Sequence, residues 1–217
     1  MSEILTQLFQ GIKILQSRGL ETGSSGNISV RLEDGNIAIK PSGLAYSNVS
    51  HDNISIVSPS GLRQVGGIPS TDLPSHIAIY NLRPDLGCII HTHAHFCTVW
   101  ATTASGLPVL SSMHADYFGT NIRCASYINH RDRGFGHDVA FETNNVILLA
   151  RHGAVCVGPN VNNAIERLLV LEEVARLAFD SIVLAKSLDI PIAPLEQEHG
   201  LECKEWFRTK YGQTGFL

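Results

Sequence analysis

Gly87-Cys88-Ile89-Ile90-His91-Thr92-His93 is the stretch from which the rest of the chain is read. A short apolar run, opened by glycine and closed by polar residues, predicts a strand buried on both faces. Upstream, Ser70-Thr71-Asp72-Leu73-Pro74 predicts a helix start, with capping side chains and a proline suited to the first helical position. That helix runs to about Leu82, before Pro84. Downstream, residues 96–104 read as a helix ended by Gly106, and residues 145–150 as a second apolar strand leading into Arg151-His152-Gly153.

Farther out, Ile4, Leu5, Leu8, Ile12 and Leu15 recur at helical spacing before a stop at Gly19. Residues 27–31 and 36–40 alternate across Asp34-Gly35, and residues 54–58 and 62–65 flank a turn at 59–61, so two hairpins are expected. A long helix over about 163–186 carries Ile165, Leu168, Leu169, Leu171, Val174, Ala178 and Ile182, and the tail from Leu195 holds a last short helix. Hairpins early and helices between later strands predict one α/β domain over 1–217, with a largely antiparallel central sheet flanked by helices.

The composition narrows the partners. The chain has 217 residues and 16 Lys+Arg against 20 Asp+Glu, a net charge of −4, so no basic excess favours nucleic acid. No apolar run approaches the roughly 18 residues of a membrane span, and Met1-Ser2-Glu3 opens no secretory signal. The five cysteines form no CxxC pair and read as reduced thiols of a cytoplasmic protein.

Seven of the ten histidines fall within residues 91–152. Residues two apart on a strand share a face, so His91 and His93 can grip one metal ion. His152 follows the other apolar strand, so two strand ends can deliver three nitrogens to one place, with Asp72 at a helix start as a further candidate. Zinc suits such a set and keeps a position open in catalytic sites, although hydrogen-bonded histidines beside a core give the same pattern. His95 is set off that face by its helix. His51, His130 and His137 join no constellation.

Three small loops offer backbone N–H and hydroxyl donors: Gly26-Asn27, Pro41-Ser42-Gly43 and Ser70-Thr71. Together with Lys40 they suit a phosphate, the last at a helix N-terminus; each alone reads equally as a turn or cap. His114-Ala115-Asp116-Tyr117-Phe118-Gly119 holds a carboxylate fit for acid/base work, or else a loop turn with a packed Tyr-Phe pair. Tyr211 in Lys210-Tyr211-Gly212-Gln213 carries no signal on its own.

In combination and order, Gly26-Asn27-Ile28-Ser29, Lys40-Pro41-Ser42-Gly43, Ser70-Thr71-Asp72, His91-Thr92-His93 and Arg151-His152-Gly153 resemble the class II aldolase/adducin-head family. The resemblance spans about residues 5–213. It is nearest to the family's ribulose-phosphate epimerase branch, which has aspartate at the Asp72 slot where the fuculose-phosphate aldolase branch has glutamate. The segments around Asp116 and Tyr211 resemble those carrying that branch's catalytic aspartate and tyrosine. His199 lies about where the branch has another active-site histidine, one residue out of step. Three features depart from the branch: the Asp116–His152 interval is shorter, Thr71 replaces a serine, and Arg151-His152-Gly153 has the aldolase form.

The resemblance implies epimerisation of L-ribulose 5-phosphate to D-xylulose 5-phosphate by retro-aldol and aldol steps through a metal-stabilised enediolate. His91, His93 and His152 would hold Zn2+ (or Mn2+ or Co2+), with Asp72 completing the shell or standing beside it. Ser42, Gly43, Ser70 and Thr71 would bind the phosphate, with Asn27 and Lys40 near it or near the enediolate. Asp116 and Tyr211 would serve the two aldehyde faces. The resemblance also implies a cyclic homotetramer with sites between subunits, the tail from about residue 195 completing a neighbour's site with Tyr211, so that co-assembled Asp116→Asn and Tyr211→Phe subunits should complement. A class II aldolase, a decarboxylase of 3-oxo-sugar-acid phosphates and a non-catalytic adducin-head-like interaction domain are the alternatives.

Overall fold

A computed structural model describes residues 3–127, 134–140 and 142–212. In chain order the elements are α1 (Glu3–Ser17), β1 (Asn27–Arg31), β2 (Ile37–Ile39), a 3-10 turn (Tyr46–Asn48), β3 (Ser55–Val57), β4 (Arg63–Val65), α2 (Leu73–Leu82) and β5 (Cys88–Thr92). They continue with α3 (His95–Thr102), α4 (Ser112–Phe118), β6 (Cys124–Ala125), α5 (Gly136–Ala140), β7 (Val146–Leu149), β8 (Gly153–Gly158), α6 (Val161–Leu188) and α7 (Gln197–Thr209).

Among the described residues the strands form one eight-stranded sheet in the order β4-β3-β2-β1-β5-β8-β7-β6. All neighbours are antiparallel except β6 and β7. The central strands are apolar on both faces because helices cover both. Cys88, Ile90, Val146, Leu148, Ala154 and Cys156 join the core beneath α1, α3 and α6. Their alternates Ile89, Ile147, Leu149, Val155 and Val157 join the core beneath α2 and α5. The period of two thus divides one sheet between two cores.

The architecture is that expected: a single α/β domain with a mostly antiparallel sheet between helices. Four local readings are corrected. The 153–158 stretch is a fully buried strand, β8, and not merely the end of a motif. Residues 112–118 form a helix rather than a loop turn, because the Ser111 hydroxyl caps it by accepting the His114 N–H at 3.3 Å. The closing helix, α7, is 13 residues long. The start of α2 has its proline but no side-chain cap bond, since the Asp72 carboxylate is turned elsewhere. Of the loop-like 129–138 stretch, residues 129–133 lie outside the described residues, as does His130.

Candidate metal centre and substrate cavity

Strand β5 delivers His91 on the α2 side of the sheet, directly opposite Asn27 of β1 and Val155 of β8. His93 follows just past the strand end. His152 sits in the tight β7–β8 connection, where Arg151 takes a left-handed φ of 58°. That hairpin passes hard against β5: a Cβ at Gly153 would collide with the Thr92 carbonyl oxygen and sit 2.9 Å from the His93 ring, so only glycine fits. Antiparallel pairing of β5 with β8 therefore brings the two strand ends, and all three histidines, together.

One donor nitrogen from each of His91, His93 and His152 lies within 4.8 Å of the other two. The His91 Nδ1 is 3.0 Å from the Ala154 carbonyl oxygen. A carbonyl only accepts, so Nδ1 carries the proton and Nε2 presents a lone pair. That Nε2 faces the His93 Nε2 at 3.1 Å. Burial lowers the His91 pKa to about 3, with His152 and His93 adding to the effect against the opposing charge of Asp72. Burial also lowers His93. Three imidazoles with converging nitrogens, His91 and His93 held towards the neutral form by burial and one tautomer fixed by a backbone carbonyl, are the donor set that a divalent ion of the zinc type takes.

Beside the triad lies a cavity of about 260 Å³ lined by Asn27, Lys40, Ser42, Gly43, Ser70, Thr71, Asp72 and the three histidines. Five segments far apart in sequence thus meet in one place. Asp72 precedes α2 and accepts from Asn27 Nδ2 at 2.7 Å. The opposite amide atom, Asn27 Oδ1, is buried without a hydrogen-bond partner among the described residues. The Ser70 hydroxyl accepts the Asp72 N–H at 3.3 Å, while the Ser42 N–H is taken by the Ile68 carbonyl at 2.8 Å. Ser42 therefore offers its hydroxyl rather than its amide. Lys40 is buried; it donates to the Ser24 carbonyl at 2.9 Å and lies 4.9 Å above the Tyr46 ring. Burial lowers its pKa, against the opposing pull of Glu21.

Several neighbours of the site lie outside the sequence motifs. Ser24 and Ser25 line the cavity. His76, one helical turn after Asp72, is buried, with Nδ1 2.7 Å from Ser29 Oγ; that hydroxyl is also 2.9 Å from Tyr80 OH. The signal was present as a histidine four residues after the helix-start aspartate.

Among the described residues, neither Asp116 nor Tyr211 lines this cavity. Asp116 lies on α4, where burial raises its pKa. Its neighbour Tyr117 donates to Glu166 at 3.0 Å. The Tyr117 ring packs 5.0 Å from Phe207, and Phe207 stacks on Tyr211 at 4.6 Å. Asp116 and Tyr211 are thus brought to the α4–α7 pair of one chain. His199 and His95 are exposed on α7 and α3, His137 is exposed on α5, and His51 packs on Phe9. Gln213 lies outside the described residues.

Residues 6–179 match the class II aldolase and adducin N-terminal domain family. The chain belongs to this family. It is 30% identical over 211 residues to the L-ribulose-5-phosphate 4-epimerase UlaF of Salmonella paratyphi C (strain RKS4594), covering 90% of this chain and 91% of that protein. Among solved structures, L-fuculose 1-phosphate aldolase is similar with a TM-score of 0.84 and 27% identity, over 96% of this chain and 97% of that one. YgbL of Klebsiella pneumoniae is similar with a TM-score of 0.80 and 27% identity, over 93% and 97%. The class II aldolase fold and the family are those expected from the five motifs.

Proposed function

We propose that the protein is a metal-dependent sugar-phosphate epimerase that interconverts L-ribulose 5-phosphate and D-xylulose 5-phosphate. The observation that carries this reading is the union of three converging imidazoles with hydroxyl-rich loops and Asp72 in one cavity. The similarity to UlaF over 90% of the chain supports the same substrate class.

Zn2+ (or Mn2+ or Co2+) held by His91, His93 and His152 would supply a Lewis acid for the negative charge that builds beside a ketone as a carbon–carbon bond breaks. Asn27 holds Asp72 in place, and its remaining Oδ1 accepts from a substrate hydroxyl. The phosphate sits on Ser42, Gly43, Ser70 and Thr71, near the positive end of α2, while buried Lys40 fixes the Ser24 carbonyl beneath the same pocket. The C4 hydroxyl gives up its proton as the C3–C4 bond breaks. The aldehyde fragment then turns, and the new C4 oxygen takes a proton on its other face. Asp116 and Tyr211 serve as the two proton carriers.

Because those two groups sit on α4–α7 and away from the cavity of their own chain, the reading assigns them to a neighbour's site in a homotetramer. Exposed apolar residues along the end of α6 and beyond support such assembly: Val183 is 52% exposed, Leu184 58%, Leu188 58% and Ile190 54%. All five cysteines are free thiols, in keeping with a cytoplasmic protein.

Asp116→Asn and Tyr211→Phe distinguish this reading from its rivals. Each is expected to lower epimerisation at least about 100-fold, the scale of a lost acid/base group. Unchanged turnover in both would favour a fuculose-phosphate-like aldolase, and carbon dioxide release from an oxo-acid phosphate would favour a decarboxylase.

A further inference from the structure

Helix α3 touches both segments that carry the histidine triad. It begins two residues after His93. At its other end the Ala101 carbonyl accepts the Arg151 N–H at 2.7 Å, one residue before His152. That bond helps hold Arg151 in its left-handed conformation, which aims the following residue. Helix α3 is thus a strut between His93 and His152.

The start of this strut has no local cap, since Ala94 stands at the N-cap position. Glu172, some 75 residues later on α6, supplies one instead. Its two carboxylate oxygens accept the backbone N–H groups of Phe96 and Cys97, each at 2.9 Å. A carboxylate at a helix N-terminus takes up orphan donors and opposes the positive end of the dipole. On the other side of His93, the Thr92 hydroxyl accepts the Ala94 N–H at 3.0 Å and donates to the Leu20 carbonyl at 2.6 Å. The backbone carrying His93 is therefore clamped on both flanks.

We propose that Glu172 is a positioning residue for the metal centre: by capping α3 it fixes His93 relative to His152 and so sets the affinity for the metal. This rests on the metal-centre reading above. The role differs from that of an ordinary stabilising cap, because the strut it anchors ends against the other ligand's loop. Outer partners that orient ligands typically account for about 10–100-fold in metal affinity.

The test titrates the metal-free full-length protein with Co2+, followed by its visible d–d absorption, and with Zn2+ against a competing chelator. Wild type is compared with Glu172→Gln, Glu172→Ala and Ile12→Val. Ile12 is a core residue of α1, so its truncation lowers the melting temperature without touching the strut. Glu172→Ala is expected to weaken binding about 10–100-fold and to change the Co2+ spectrum. Glu172→Gln, which keeps one acceptor and also serves if the alanine variant fails to fold, should fall between. Ile12→Val should bind as wild type does. Equal affinities and spectra throughout, with only melting temperatures lowered, would overturn the proposal and leave the metal centre standing. A wild-type protein that binds neither ion would overturn both.

Discussion

His91 shows how one residue is made ready for its task. The Ala154 carbonyl fixes its tautomer, the sheet buries it, and two further imidazoles keep it neutral. His76 is prepared in a similar way for a structural task, its Nδ1 held to the Ser29 hydroxyl that also meets Tyr80 OH, with burial lowering its pKa to about 4. For such a histidine the unfolded chain binds the proton first, near pH 6.5. Its contribution to stability is complete above that pH and is lost as the pH falls from about 6.5 towards 4. Urea midpoints of the metal-free protein should fall across this window, and His76→Asn should flatten part of the slope. An equal slope in the variant would show that His76 is not buried neutral. Single residues were legible where chemistry recurs in a pattern, as in His91-Thr92-His93. His76 has only its place one helical turn after Asp72 as a sign, and a lone histidine inside a helix does not tell what the fold places against it.

At the scale of elements, periodicity located α1, α6 and the early hairpins, while helix-start and helix-stop residues located α2 and α3. It passed over β8 and α4 for different reasons. Strand β8 is a continuous apolar run like β5 and β7, but it opens inside Arg151-His152-Gly153, whose reading as a motif obscures the strand. Helix α4 is only seven residues long, too short for a helical period to stand out, and its Ser111 cap is a local signal. The pairing of α4 with α7 had no sequence signature, yet it is tightly determined. Gly200 of α7 lies so close to Gly119 that a Cβ would collide with that residue's backbone carbonyl. Lys204 adds bonds to the Phe118 carbonyl at 3.2 Å and Asn144 Oδ1 at 3.1 Å. Gly200→Ala gains up to about 1 kcal/mol of helix propensity, but overpacking against fixed backbone costs about 1–3 kcal/mol. A lower urea midpoint is therefore expected, and a higher one would show that the two helices can part without cost.

At the scale of the whole molecule, the arrangement revises an expectation drawn from sequence. Complementation between Asp116→Asn and Tyr211→Phe subunits assumed that the two groups reach a site from different chains. Both are held beside Tyr117 on one α4–α7 pair, so a neighbour that lends one lends the other. Co-assembled Asp116→Asn and Tyr211→Phe subunits should stay inactive. Asp116→Asn with His152→Ala should regain part of the activity, because an intact triad then meets an intact α4–α7 pair across an interface. Recovery in the first mixture but not the second would contradict a shared site of this form.

Metal-dependent epimerisation is the reaction that the histidine triad and the hydroxyl-rich loops are proposed to perform together. The direct measurement is an NMR time course of the zinc-loaded protein with L-ribulose 5-phosphate, beside a chelated control. Resonances of D-xylulose 5-phosphate should grow with the metal present and stay absent without it. An unchanged spectrum in the zinc-loaded sample, or equal conversion in the chelated one, would contradict the account.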